Sequence, residues 1–265
     1  MNTTINVADY EHPTDRTALA ALQSIPLLYK VLTWWLNFRV KTDVMIDYRG
    51  NGLEVTEKTC PRVWKLKQVA LDRLSINDDI PIFITREWEY NAFATGVTTP
   101  MIVLHSGIVE DFTDDELLYI IGHEMGHIKS KHMLYHYMAG TVAQWAFNSN
   151  IVSAVVMQTI VVALMEWQRK SELTADRAGF IANQNKDACI WGMMKLMGLP
   201  EDYGDTNKYN FSIDDVFEQY KESREEMKDS IYTKLIYAYI TAKIDHPWTI
   251  ERVHELDKWE GVNRE

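Results

Sequence analysis

The chain has 265 residues, 46% of them hydrophobic, which is enough for one good-sized core in a single domain. Its formal net charge of −11 argues against a general nucleic-acid binder, because phosphate contacts need clustered lysine and arginine. Its two cysteines have no metal-binding spacing, so we expect free thiols in a reducing compartment. The polar first ten residues lack the pattern of a secretory signal. A cytoplasmic location is therefore expected, with a position at the membrane surface as the alternative.

The first 105 residues are predicted to hold the strands. Residues 1–16 are polar and are expected to be irregular, and residues 17–40 are expected to form an N-terminal helical segment. Residues 59–74 have apolar side chains at intervals of three and four, which predicts an amphipathic helix. Short apolar runs bounded by turn residues predict strands at 42–48, 52–55, 81–85, 91–97 and 101–104, the last two as a hairpin.

The remainder of the chain is predicted to be mainly helical. Thr113 is a suitable N-cap, and the three acidic residues after it suit the positive end of a helix dipole. The helix that begins there is expected to run over residues 114–133. Further helices are predicted at 172–183, 186–196 and 212–240. Strands followed by helices in one unit indicate an α+β fold.

The predicted helix at 114–133 contains the five residues HEMGH, which form the pattern H-E-x-x-H. On a helix, His123 and His127 are four residues apart and project from one face, so both imidazoles can reach one metal ion. Glu124 lies beside them, where it can act on a water molecule bound to that metal. The pattern indicates a zinc hydrolase, most often a peptidase. The competing interpretation is that the two histidines are ordinary helix residues.

A catalytic zinc ion takes three protein ligands and keeps one open position. His132 is five residues after His127, whereas the extended motif would need its third histidine at the place of Met133. His132 is therefore expected to be a structural or surface residue. The segment SELTADRAG offers Glu172 as the third ligand instead. Asp176, one helical turn later, could accept a hydrogen bond from a ligand imidazole and fix its tautomer. The small residues around them would let this second helix approach closely.

Residues 133–167 include the most apolar part of the chain, and the run at 151–167 is at the short limit for a membrane span. A single span there would put the two histidines and Glu172 on opposite sides of a bilayer. We therefore favour a soluble helical hairpin and keep a membrane hairpin as the alternative.

Four segments of the chain resemble, in their order, the gluzincin metallopeptidases that include the heat-shock protease of bacterial membranes and the CAAX prenyl endopeptidase. They are the strand residues Asn91, Ala92, Phe93 and Ala94, then HEMGH, then SELTADRAG, and finally His246-Pro247 with Arg252 six residues after the histidine. The similarity covers about residues 43–254. The membrane-embedded members have clear transmembrane hairpins, so this chain is more similar to the compact, soluble members called minigluzincins.

The resemblance implies a zincin-like fold, in which a small mixed sheet with an edge strand lies over the H-E-x-x-H helix and a second, glutamate-bearing helix. It implies one Zn²⁺ per chain and a protein or peptide substrate paired along the strand at 91–94. Glu124 would be the general base. His246 would stabilise the transition state, and Arg252 would support the site.

We interpret residues 1–265 as a single zinc metallopeptidase domain, with an N-terminal helical segment at 1–40, a catalytic core at 41–254 and a tail at 255–265. The expected function is that of a zinc-dependent endopeptidase acting on extended polypeptides. One alternative is a latent or catalytically silent zinc protein that holds a peptide. Another is a membrane-associated quality-control protease. Nucleic acid is not expected as a partner.

Overall fold

The computed structural model describes residues 4–24, 48–97, 99–136, 151–198, 212–226 and 249–262. The strands lie at Leu53–Glu54 (β1), Ile82–Thr85 (β2), Ala92–Thr95 (β3) and Met101–His105 (β4). The helices before the apolar region lie at Val7–Tyr10 (α1), Pro13–Gln23 (α2), Pro61–Arg73 (α3), Ser106–Asp111 (α4) and Asp114–Lys129 (α5). The later helices lie at Ile151–Asn183 (α6), Lys186–Leu196 (α7), Ile213–Glu226 (α8) and Thr249–Lys258 (α9).

The strands form one mixed sheet in the order β1-β2-β4-β3. β2 and β4 run parallel in its centre, and β1 and β3 are antiparallel edge strands. Every residue of β4 is buried, as expected for a central strand that is covered on both faces. The first three residues of edge strand β3 are half-buried and the fourth, Thr95, is buried. This strand contacts α5. The sheet therefore presents one edge to the helix that carries HEMGH.

This architecture confirms the expected α+β, zincin-like fold. The predicted hairpin is β3–β4, with Phe93 opposite Val103. The strand predicted at 81–85 is β2, and the helices predicted at 59–74 and 186–196 are α3 and α7. Thr113 caps α5 as predicted. Its side chain accepts a hydrogen bond from Glu116 N at 3.3 Å, and Glu116 Oε2 accepts one from Thr113 N at 2.8 Å, which makes a capping box.

Helices α5 and α6 pack closely through small residues. A Cβ atom added to Gly126 would stand 2.5 Å from the Ala178 Cβ, and one added to Gly122 would stand 2.3 Å from the Ala182 Cβ. Carbon atoms in contact are normally about 3.5–4.0 Å apart, so neither position has room for a side chain. The small residues of SELTADRAG predicted this approach, and the two glycines of α5 complete it.

Three predicted element boundaries are wrong. Helix α5 ends at Lys129 rather than at 133, because Lys131 adopts a left-handed φ of 59°. Residues 4–16 are not irregular: they hold α1 and the start of α2, whose N-cap His12 accepts a hydrogen bond from Thr14 N. The helix predicted to begin at residue 172 begins at Ile151, because no proline or glycine interrupts it before Glu172.

Some predicted features lie outside the described residues. They are the N-terminal helical segment beyond residue 24, nearly all of the strand at 42–48, the apolar stretch at 137–150, the part of the helix predicted at 212–240 that follows residue 226, and the His246-Pro247 pair. In the part of the chain that is described, no helix is both long enough and apolar enough to span a bilayer. The division at residues 40 and 254 stays a prediction.

Candidate active site

His123, His127 and Glu172 lie together where α5 faces α6. The Nε2 atoms of the two imidazoles are 3.1 Å apart, and each lies 3.3 Å from an oxygen of the Glu172 carboxylate. All three side chains are buried. Two imidazole nitrogens and a carboxylate oxygen at this spacing are a donor set that suits Zn²⁺ and leaves its fourth position open. The residues therefore fit a catalytic metal ion.

The two imidazoles differ in their electrostatics. Burial alone would lower the pKa of His123, but the carboxylates of Asp176 and Glu172 raise this pKa to about 10. Burial dominates at His127 and lowers its pKa to about 4, although Glu172 opposes the shift. Because a metal ion binds the neutral ring, binding would displace the proton that His123 otherwise holds.

Asp176 contacts His123 at Nδ1, the ring nitrogen that faces away from Glu172. Its Oδ1 atom lies 2.9 Å from His123 Nδ1 and accepts a hydrogen bond from Tyr119 Oη at 2.7 Å. Arg252 donates to both carboxylate oxygens, from Nε to Oδ2 at 2.9 Å and from Nη2 to Oδ1 at 2.6 Å. Burial would raise the pKa of Asp176, but Arg252 and His123 hold it well below its usual value. Because this charged acceptor holds Nδ1, the Nε2 atom of His123 faces His127 and Glu172.

Glu124 lies between the candidate ligands and edge strand β3. Its Oε1 atom is 4.0 Å from His123 Nε2, and its Oε2 atom accepts a hydrogen bond from Ala94 N at 2.7 Å. The side chain is buried. A backbone group of the sheet thus orients this carboxylate, although the carboxylate itself belongs to the helix.

A cavity of about 200 Å³ opens beside these residues. It is lined by Tyr90, Asn91, Ala92, Tyr119, Ile120, His123, Glu124, Glu172, Leu196, Thr249 and Arg252. Two of the predicted substrate-binding residues, Asn91 and Ala92, are therefore in its wall. The ring of Phe93 instead packs edge-on against His105, with 6.2 Å between centroids. His246 lies outside the described residues, so its predicted role stays a prediction.

His132, expected to be a structural or surface residue, contacts a candidate ligand. Its Nδ1 atom lies 3.0 Å from Nδ1 of His127. Residues five apart do not share a helix face, so the helical pattern gave no sign of this contact. The relevant signal is the end of the helix, because the chain turns back on itself after Ser130. Tyr119, which reaches the site through Asp176, was also not predicted.

The sequence is similar to known peptidases. The family model described as Peptidase family M48 matches residues 65–260. The chain is 24% identical to the plastoglobule-localized metallopeptidase 48 of Arabidopsis thaliana over 96% of this chain and 73% of that protein. It is 31% identical to HtpX protease homologs of Salinibacter ruber and Trichormus variabilis, over 48% and 43% of this chain. These matches span 52% and 38% of the two bacterial proteins, about half of their length or less. No solved structure matches the chain.

Proposed function

Because this chain belongs to peptidase family M48 and is a metalloprotease, we propose that it is a zinc-dependent endopeptidase that cleaves extended polypeptides. The observation that carries the proposal is the buried group of His123, His127 and Glu172, with Glu124 beside it. These three side chains would hold one Zn²⁺ per chain. When bound, the ion would polarise a water molecule and the carbonyl group of the scissile peptide bond.

Glu124 would be the general base and then the general acid. Its carboxylate would take a proton from the attacking water molecule and deliver it to the leaving amine. The hydrogen bond from Ala94 N supports this role, because it holds Oε2 of Glu124 while Oε1 lies 4.0 Å from Nε2 of His123. Arg252 would act through Asp176, by keeping the carboxylate that orients His123 ionised and in place. His246 remains a proposed transition-state stabiliser on the resemblance alone.

Strand β3 would bind the substrate by pairing with its backbone. Asn91 O accepts a hydrogen bond from His105 N, so every second residue of β3 bonds to β4. Ala92 and Ala94 then direct their backbone groups to the opposite side, where Ala94 N meets Glu124. A peptide added at this edge would be held mainly through its backbone. We therefore expect a loose sequence preference.

Cleavage of a diverse peptide library by the zinc-loaded protein, followed by mass spectrometry, tests this function. We expect the wild type to cleave. Glu124→Gln should still bind one zinc ion but lose about 100- to 10,000-fold in rate, the usual contribution of a general acid–base group. Glu110→Gln is the matched control, because Glu110 is an exposed carboxylate, and it should cleave at the wild-type rate.

The outcomes separate the alternatives. Cleavage by Glu124→Gln at the wild-type rate would show that the role of Glu124 is wrong. One bound zinc ion without cleavage by any variant would favour the latent, peptide-holding protein. Cleavage that requires added detergent or lipid would favour the membrane-associated protease. A cytoplasmic location stays a prediction.

A further inference from the structure

The end of helix α5 turns His132 back onto the candidate metal ligands. His132 N donates to His127 O at 3.0 Å and Lys131 N donates to Ile128 O at 3.1 Å, while Lys131 has a left-handed φ of 59°. These features define a Schellman turn, in which the second residue after the cap lies against the third residue from the end of the helix. Here the two residues are His132 and His127, so the helix ending itself brings the rings together.

The direction of the hydrogen bond between the two rings follows from the proposed metal site. If His127 binds a metal ion through Nε2, which faces Glu172, its ring proton is on Nδ1 and has to be donated. His132 Nδ1, at 3.0 Å, is then the acceptor, and its own ring proton is on Nε2. That nitrogen faces Asp15 Oδ2 at 3.4 Å. Each donor in this series therefore meets an acceptor.

Asp15 reaches this position from helix α2. It is 1% exposed, and its Oδ2 atom also accepts a hydrogen bond from Thr174 Oγ1 at 2.6 Å. The Thr174 hydroxyl in turn accepts one from His12 N at 3.1 Å. A carboxylate is buried this deeply only where polar groups compensate it, and here an imidazole and a hydroxyl do so. Helix α2 is thus connected to α6 through Thr174 and to the turn after α5 through His132.

We propose that His132 and Asp15 are positioning residues for His127: an imidazole and then a carboxylate, in series, fix the tautomer and the ring orientation of this metal ligand. The inference rests on the proposed metal site but not on peptidase activity. It gives a role in metal binding to helix α2, which precedes the residues matched by the family model. His123 has its carboxylate at Nδ1 directly, whereas His127 would have one at the far side of His132.

A competing arrangement uses some of the same atoms. His127, His132 and His136 form a second group, in which one ring nitrogen of each residue lies within 4.8 Å of the other two. An ion bound there would take Nδ1 of His127 and remove the proton that the series requires. The series requires a single ion at His123, His127 and Glu172, whereas a second ion at the three histidines would bring the count to two. The number of zinc ions per chain therefore distinguishes the two arrangements.

Zinc affinity, measured on the full chain by competition with a chromogenic chelator, tests the proposal. His132→Phe removes the acceptor, and we expect the dissociation constant to rise about 10- to 100-fold, as when other partners that orient a metal ligand are lost. His132→Gln keeps an acceptor oxygen and should bind within about threefold of the wild type. Asp15→Asn should weaken binding about 10-fold on its own. It should have no further effect in His132→Phe, because Asp15 acts through His132.

Asp78→Asn, at an exposed carboxylate, is the matched control and should leave zinc binding unchanged. The positioning role is wrong if His132→Phe and His132→Gln bind zinc equally well. Equal losses from Asp15→Asn in the wild type and in His132→Phe would assign Asp15 a purely structural effect. If His132→Phe does not fold, Asp15→Asn decides alone: affinity equal to that of Asp78→Asn overturns the proposal.

The stoichiometry, from mass spectrometry of the intact protein, gives the remaining outcomes. One zinc ion per chain in the wild type and in all variants is the expected result. Two ions, one of which is lost in His132→Phe, would make His132 a ligand and overturn the positioning role. A wild-type chain that binds no zinc would overturn the proposed metal site, and this inference with it.

Discussion

His123 and His127 have the same side chain and the same helix face, but their surroundings differ. The Nδ1 atom of His123 meets a carboxylate that two further donors, Tyr119 and Arg252, hold in place. The Nδ1 atom of His127 meets a second imidazole. A hydrogen bond to a charged acceptor raises the basicity of a ligand ring more than one to a neutral acceptor. We therefore expect the two rings to hold a metal ion with unequal strength.

Glu172→Gln tests the third proposed ligand. The change replaces a charged, buried carboxylate by a neutral amide between the two imidazoles. We expect the zinc dissociation constant to rise by more than about 100-fold, because even groups that only orient a ligand can account for losses of that size. Competition with a chromogenic chelator measures this dissociation constant. Glu166→Gln, on the same helix, is the control, because Glu166 is half-exposed and pairs with Arg169 at the surface. Unchanged affinity in Glu172→Gln would mean that the third ligand is another residue.

At the scale of the elements, the candidate site depends on how closely α5 and α6 approach. His123 and His127 come from one helix and Glu172 from the other, so the helix separation sets the distance between them. Gly122 and Gly126 stand against Ala182 and Ala178 at the contact. A wider separation would move the carboxylate away from both imidazoles. Small residues here serve the site as well as the core.

Gly126→Ala tests this contact. The added methyl group would overlap Ala178, and we expect the free energy of unfolding to fall by about 1–3 kcal/mol, as is usual for overpacking. Adding Ala178→Gly should restore part of this loss, but not all, because the Ala175 Cα would still lie 3.3 Å from the new Cβ. Urea denaturation of the zinc-free proteins measures both effects. A double variant whose loss equals the sum of the two single losses would show that the Ala178 methyl group does not limit the approach.

At the scale of the whole molecule, helices from both ends of the described chain contact α6. Arg177 of α6 donates to the backbone oxygens of Tyr10 and Glu11. Nε2 of His12 lies 3.4 Å from Oε2 of Glu255 in α9. This pair connects the N-terminal segment to the last described helix. α9 also carries Arg252, which reaches the site through Asp176. Segments far apart in sequence therefore hold one site together.

The His12–Glu255 pair predicts a dependence of stability on pH. The hydrogen bond with His12 lowers the pKa of Glu255 from 4.5 to about 2, while partial burial opposes the shift. Because the pKa is lower in the folded state, the carboxylate stabilises the fold above about pH 4.5, and this contribution is lost as the pH falls toward about 2. We expect the wild type to lose more stability than Glu255→Gln over this range. The difference should be small and should shrink in high salt, because the pair is partly exposed.

Thermal unfolding midpoints measured across that pH range give the comparison. Glu260→Gln is the control, because Glu260 is an exposed carboxylate near the same helix end. Its pH profile should match that of the wild type. Parallel profiles for the wild type and Glu255→Gln would show that the pair contributes nothing to the acid sensitivity.

Much of the fold and of the candidate site could be predicted from local patterns. The α+β class and most elements follow from hydrophobic periodicity and turn residues, which act over a few neighbours. His123, Glu124 and His127 lie within about one turn of a single helix, so their spacing alone indicates a shared task. The spacing of Glu172 and Asp176 on a second helix, among small residues, completed the prediction. These features belong to the sequence by itself.

The tertiary structure alone decided how the side chains are held. Asp15 lies 117 positions before His132, and no local pattern joins them. The hydrogen bond from Ala94 N to Glu124 depends on the sheet edge meeting the helix. The contact of His132 with His127 depends on where α5 stops, and helix ends are set by a balance of small energies that periodicity does not record. Sequence periodicity reports which face of an element is buried, whereas these contacts depend on which elements meet.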